Sequence, residues 1–235
     1  MFSNNILAVI FTFALILTWL RLLDYAAQRG WLSSHLSRKI IHTGTGPAFV
    51  LCWLLFTDSA SAPYLAALVP FAITLQFLMV GLGLMQDEAA VKALSRTGNP
   101  REILKGPLYY GIIFVLLTII YWKNSPIGIV ALMVLSGGDG LADIIGRQFG
   151  QRKLPWNQGK SWAGSLGMFL GAWGFSLFVL WIYHAAGVFT QPVSAYLLPV
   201  TVVALVSTLV ETLPTPDLDN ITITVTALIL GHWLF

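Results

Sequence analysis

A chain of 235 residues, 57% hydrophobic and only 10% charged, with a mean hydropathy of +0.77, carries far fewer charges than the roughly 25% of a soluble domain. That composition excludes a water-soluble globular protein, and a formal net charge of +3 gives no footprint for nucleic acid as a partner. The single cysteine, Cys52, excludes an intramolecular disulfide and reads as a packing residue.

A helix that crosses a bilayer needs roughly 20 apolar residues. About eight runs approach that length: 3–20, 40–57, 63–84, 107–122, 126–146, 162–185, 192–210 and a shorter last one, 220–235. The expected fold class is therefore all-α, a polytopic integral membrane protein with about 7–8 transmembrane helices, because a helix satisfies its backbone groups internally in lipid. The loops are too short to house a separate soluble domain, so residues 1–235 read as one multi-pass domain. The first run lacks a basic lead-in and a small-residue cleavage site and reads as a retained span. With no Arg/Ser-rich transit segment to choose between them, a bacterial inner or thylakoid membrane and a plastid membrane both stay open.

The charges are one-sided. Arg21, Arg29, Arg38 and Lys39 follow the first span, Lys92, Arg96, Arg101 and Lys105 the third, and Arg147, Arg152, Lys153 and Lys160 the fifth; of the Lys and Arg residues only Lys123 falls in the fourth connection. With about eight spans these loops share one side, which the positive-inside rule makes cytoplasmic, with both termini outside. Among the acids only Asp58 falls on the outer side, and Glu211, Asp217 and Asp219 surround the seventh connection. The unusual polar residues thus gather at one mouth, where a water-soluble reactant can reach them.

The stretch "LSGGDGLADIIGRQFG" (135–150) places two aspartates inside an apolar span. On a helix Asp139 and Asp143 are i,i+4 neighbours, roughly 6 Å apart along the axis, with Gly146, Arg147 and Gly150 near the same face. Carboxylates that close repel unless a cation intervenes. Mg²⁺, a hard ion that takes one or two carboxylates plus substrate phosphates, is the natural cofactor. The alternative is structural: one aspartate pairs with Arg147 and the other bonds a neighbouring helix. Gly137, Gly138 and Gly140 bracket Asp139 and would let a phosphate chain approach the backbone. Gly167 and Gly171, by contrast, read as close helix packing.

Lys160 and Ser161 open the sixth span, and Ser161, Gly164 and Ser165 occupy its first turn. A helix N-terminus offers free N–H groups and a positive dipole end to a phosphate, and Lys160 adds a point charge. Arg152 and Lys153 read as topology signals. In "SRKIIHTGTG", Arg38, Lys39 and His42 stand at the same level of the membrane; His42 reads equally as a structural histidine and as a functional one. In "VETLPTPDLDN", Glu211 is a second candidate for metal or nucleotide contact. Pro214 and Pro216 stop that helix, Asp219 or Asn220 is expected to cap the next, and Asp217 reads as solvated. "GNPREILKGPLYY" before the fourth span reads as a surface loop or a lid.

Taken together, "SRKIIH", "GGDGLADIIGRQFGQRKLPWNQGKSWAGSLGMF" and "VETLP…DN" resemble the polyprenol kinase family, its phytol kinase branch above all, with dolichol kinase more distant. The blocks lie in family order over most of the chain. The resemblance implies a membrane enzyme that phosphorylates a long-chain isoprenoid alcohol with CTP as phosphoryl donor. It implies that Asp139, Gly140, Asp143, Gly146, Arg147, Gly150, Lys160, Ser161, Gly164 and Ser165, with Gly138 beside them, form the nucleotide and metal region. By the same resemblance Arg38, Lys39 and His42 match the early basic block, and Glu211 with Pro214 the late acidic one; Thr212 departs from the serine usual there. The implied catalytic set is Asp139, Asp143, Lys160 and Glu211, with Asp139, Asp143 and Glu211 as metal ligands. Either Asp143 or Glu211 is open as the base for the hydroxyl proton. The implied product feeds phytol salvage toward tocopherol and related prenylquinones.

The same central block also resembles CDP-diacylglycerol synthase, a membrane cytidylyltransferase that attacks the α-phosphorus and releases pyrophosphate. The early "RKIIH" block favours the kinase. An ion-coupled transporter would instead place its polar groups near mid-membrane with access from both faces, and a structural subunit leaves the one-sided cluster unexplained.

Overall fold

The computed structural model describes residues 4–95, 97–214 and 218–235, with Ser34, Lys92 and Ala93 described in their backbone alone. Arg96, Pro216 and Asp217, used above for topology and helix stops, lie outside the described residues. The chain runs α1 (Asn5–Gln28), α2 (Ser34–Cys52), α3 (Ala62–Gly81), a short α4 (Glu88–Leu94), α5 (Gly106–Tyr121), α6 (Pro126–Met133), α7 (Asp139–Phe149), a hairpin of β1 (Lys153–Leu154) and β2 (Asn157–Ser161), then α8 (Trp162–Ala185), α9 (Val193–Glu211) and α10 (Asp219–Leu234). The helices start where local chemistry permits. Asn4 and Ser33 cap α1 and α2 by accepting from the N–H groups of Ile6 and Leu36, and prolines open α3, α5 and α6, where no donor is lost.

Each of the expected spans corresponds to a helix. Among the described residues, six helical stretches are long and apolar enough to cross a membrane: Asn5–Gln28, Ala62–Gly81, Pro100–Tyr121, Pro126–Phe149, Trp162–Ala185 and Val193–Glu211. α2 has the length but is more polar, with Arg38, Lys39 and His42 in its first half, and α10 has only 16 residues. The protein is an all-α polytopic membrane protein. α2 begins well before the expected boundary at 40, because Ser33 caps it, so Arg38 and Lys39 lie on the helix itself. The hairpin is an addition to the expected architecture; it pairs Lys153 with Ser161 and Leu154 with Asn157, with an irregularity between.

The stretch 126–149 is the spine. Ile129 through Leu135 are buried without exception, and α2, α5, α8 and α10 pack around it. Between α6 and α7 the spine widens into one π-helical segment, Val134–Gly138. π-segments inside α-helices occur frequently at functional sites, and this one ends on the residue before Asp139. α8 crosses α7 closely because glycine faces backbone: a side chain at Gly171 would strike the Gly137 carbonyl, and one at Gly167 would come 2.9 Å from the Leu141 carbonyl. Those two glycines are packing residues, as expected.

The far end of the molecule holds the two charges left over from the one-sided pattern. Lys123, buried, donates to the Phe56 carbonyl at 2.9 Å and pairs at 2.8 Å with the exposed Asp58.

Candidate active site

One cavity of about 1080 Å³ opens between the ends of α1, α3, α7 and α9 and the starts of α2, α5, α8 and α10. The connections placed on one side by charge parity thus converge on one mouth. Residues 88–95 and 97–105 fold along its rim, where Leu94, Glu102 and Lys105 line the cavity. Gln76 donates to Asp87, which caps α4; residues 97–101 are exposed, as expected of a surface segment, and Ile103 is buried and anchors it.

The acidic pair faces α2. Lys39 Nζ stands 3.7 Å from Asp139 Oδ2 and 3.7 Å from Asp143 Oδ2, between the two carboxylates. His42 Nε2 lies 4.0 Å from Asp139, one level deeper, and His35 Nε2 lies 2.9 Å from Asp143, nearer the mouth. Arg147 Nε donates to Asp143 at 3.1 Å. The spacing 35, 39, 42 on α2 thus matches the i,i+4 spacing of the aspartates on α7. A second group closes the opposite wall. Lys160, at the end of β2, bonds to Glu211 and lies 3.2 Å from Asp219. Glu211 is only 3% exposed. Burial opposes the charged form of Lys160, but the Glu211 carboxylate above all, then Asp219 and Asp139, hold its pKa above the ordinary lysine value.

The resemblance-derived residues divide by position. Arg38, Lys39, His42, Asp139, Asp143, Gly146, Arg147, Gly150, Lys160, Ser161, Gly164, Ser165 and Glu211 all line the cavity. Gly138 and Gly140 do not. A side chain at Gly138 would come 2.8 Å from the Met168 sulfur on α8, and one at Gly140 would strike Thr43 on α2; the closeness they permit is to protein. Ser161 spends its hydroxyl as the N-cap of α8, accepting from Gly164 N–H at 3.1 Å. The buried Ser165 Oγ has no hydrogen-bond partner. Arg38 NH1 reaches the Ser95 carbonyl at 3.4 Å. Asp219 and Asn220 do not cap α10: Asp219 takes Lys160, and the Asn220 amide donates to the Gly106 carbonyl at 2.9 Å.

The donor set fits a hard divalent cation. Two carboxylates one helical turn apart share a cavity wall, and Lys39 is held beyond the about 2.7–2.9 Å of a close charge-assisted bond to either. Oxygen ligands from phosphates and water would complete the shell. The structure does not bring Glu211 to that pair; it is engaged by Lys160. Among the described residues no three His, Cys, Asp or Glu side chains gather to hold a metal unaided.

Three contributors escaped the sequence reading. His35 continues the α2 stripe four residues before Lys39 and was legible in principle from that spacing. Asp219 reaches Lys160 only through the tertiary fold. Tyr110 packs its ring, tilted, against His42 with centroids 4.3 Å apart and donates to the His42 carbonyl at 3.0 Å, a contact across 68 residues that no local pattern announces.

Against known proteins, the chain is 41% identical over 217 residues to "Probable phytol kinase 1, chloroplastic" of Oryza sativa subsp. japonica, covering 92% of this chain and 69% of the relative. It is 42% identical over 211 residues to "Farnesol kinase, chloroplastic" of Arabidopsis thaliana, covering 88% and 68%. It is 36% identical over 225 residues to "Phytol kinase 1, chloroplastic" of the same plant, covering 95% and 73%. No family model and no solved structure matches the chain.

Proposed function

The chain belongs to the phytol and polyprenol kinase family, and from that premise we propose that it phosphorylates a long-chain isoprenoid alcohol, phytol foremost, with CTP as donor. The observation that carries the reading is the composition of the cavity: two carboxylates, Lys39 and Lys160 stand on the walls of its polar end, and the same cavity continues between apolar side chains of α1, α2, α3 and α5. A charged reactant and a lipid alcohol can meet there without leaving the protein.

In the proposed reaction the alcohol oxygen forms a bond to the γ-phosphorus, the bond from that phosphorus to the β,γ-bridging oxygen breaks, and CDP departs with that oxygen. Such transfers pass through a loose transition state and depend on positioning and charge. Lys160 and Arg147 face the phosphate chain, Lys39 neutralises charge between the aspartates, and the unpartnered Ser165 hydroxyl is a donor for a phosphate oxygen. Asp139 and Asp143 would hold Mg²⁺, which when bound supplies charge neutralisation on the phosphates. The hydroxyl proton passes to Asp143 or to Glu211, both of which line the cavity.

The positive-inside rule supports reading the basic mouth as facing the cytoplasm or its plastid equivalent. The relatives' chloroplastic names support a plastid or thylakoid-type membrane, and the product would enter phytol salvage toward tocopherol and related prenylquinones. The test is purified protein in detergent with phytol, Mg²⁺ and γ-labelled CTP. Label is expected in the lipid phase. Pyrophosphate release with phosphatidic acid, and no label in phytol, would transfer the assignment to the cytidylyltransferase.

A further inference from the structure

The apolar part of the cavity has a defined shape. α1 packs on both α2 and α3, α3 packs on α5, and Tyr110 ties α5 to α2 at the top by its bond to the His42 carbonyl. Side chains of these four helices, Ile16, Leu20, Phe49, Val69, Ile73 and Phe114 among them, line an apolar shaft of the cavity below His42. From Lys39 to Phe49 the lining stripe on α2 descends about 15 Å at the helical rise per residue.

The floor is aromatic. Phe49 and Phe114 are 2% and 3% exposed, with ring centroids 6.0 Å apart. Beneath them Trp53 lies 6.0 Å from Phe49, and Trp122 lies 5.3 Å from Trp53. Phe49 and Phe114 line the cavity and Trp53 and Trp122 do not, so these tilted and edge-on rings stand beneath the shaft.

Its top carries an unspent hydroxyl. Thr12, Thr74, Thr118 and Thr208 each donate to the carbonyl four residues earlier, as hydroxyls in apolar helices do. Thr45, one turn below His42 on the same stripe, lines the cavity with its buried Oγ lacking any hydrogen-bond partner. A buried hydroxyl left in that state is costly unless a partner arrives.

We propose that this shaft holds the hydrocarbon chain of the alcohol, with the hydroxyl at Thr45 and His42 beside Asp139, and that Phe49 and Phe114 set the longest chain that seats fully. The proposal rests on the kinase reading above. The relatives named for phytol and for farnesol, alcohols whose chains differ in length by one isoprene unit, resemble the chain to similar degrees, so identity alone does not choose the length; the depth of the shaft does.

The experiment measures kcat/KM with CTP for geraniol, farnesol, phytol and a longer polyprenol. It compares the wild type with Phe114→Ala, which deepens the shaft, Val69→Phe, which fills it, and Thr45→Val. Phe114→Ala is expected to raise the preference for longer over shorter alcohols by about 10-fold, and Val69→Phe to lower it similarly, the scale set by a change of a methylene or more in an apolar pocket. Thr45→Val is expected to raise KM for the alcohol and leave KM for CTP unchanged. Because Phe114→Ala opens a cavity in the core, Val69→Phe gives an independent reading. Unchanged chain-length ratios in whichever variants retain activity overturn the gauge while the kinase reading stands. A wild type inactive on every alcohol overturns the kinase reading, and the gauge with it.

Discussion

Lys160, at the end of strand β2, is bonded to Glu211, the last residue of α9, and so fastens the hairpin to the end of a helix 51 positions on in the sequence. Breaking a buried pair by removing one partner costs more than removing both, because the survivor keeps an uncompensated charge. Lys160→Ala is therefore expected to lower stability by about 3 kcal/mol and to raise KM for the nucleotide. Lys160→Ala combined with Glu211→Gln is expected to recover most of the stability and none of the nucleotide affinity. Thermal unfolding in detergent and CTP kinetics separate the two effects. A double variant with native KM would reduce Lys160 to a structural strut.

The same pair fixes a pH dependence. Its carboxylate partners raise the Lys160 pKa on folding. A raised cationic pKa contributes stability that is fully present below the unfolded lysine value and is lost as pH rises through the folded one. Above the ordinary lysine range, stability of the wild type is thus expected to fall more steeply than that of the double variant. Parallel alkaline limbs in the two proteins would contradict the assignment of that charge.

Asp139→Asn and Asp143→Asn are each expected to reduce phosphoryl transfer at least about 100-fold, the scale seen when one electrostatic contact to a transition state is removed. Lys39 keeps one aspartate in either variant, so the fold has no unpaired buried lysine to expel. Membrane extraction and melting temperature should stay near wild type. Robust turnover with either amide would remove the acidic pair from the chemistry.

Gly171 and Gly174 lie one turn apart on α8 and offer a matched comparison. A methyl group at Gly171 would strike the Gly137 carbonyl, whereas nothing lies within 4 Å of one at Gly174. Gly171→Ala is expected to destabilise by about 1–3 kcal/mol, as overpacking does, and Gly174→Ala to be neutral or slightly stabilising from helix propensity. Equal melting temperatures for the two variants would mean that α7 and α8 separate at little cost.

Much of this arrangement was legible before the fold was known, because apolar run length and charge parity are local properties of the chain. The run 162–185 coincides with α8, and 192–210 lies within one residue of α9 at each end. The Asp139–Asp143 spacing announced one acidic face, and Lys160 announced a cation beside it. What stayed hidden depends on distance or on small departures from regularity. The glycines at 137, 138 and 140 carried no sign of whether ligand or neighbouring helix would occupy the space they leave, and for all three it is helix, with Phe175, Met168 and Thr43 facing them. The pairing of Lys123 with Asp58 resolves the one basic residue that broke the charge pattern, but the partner lies 65 positions away. Lys39 standing between both aspartates requires α2 and α7 to be packed together, which no single-segment pattern encodes.

The widened turn at Val134–Gly138 has a consequence for how this span tolerates change. An extra residue in one turn offsets everything beyond it by about 100° around the axis. Both halves of the spine pack on α2 and α8, but the greasy half is also packed by α5 and α10, whereas the acidic half is held chiefly by α8 and α2. Swapping one aliphatic residue for another before the offset alters how the bundle is filled without re-aiming the acids, whereas deleting a single residue inside it would turn Asp139 and Asp143 away from Lys39 together.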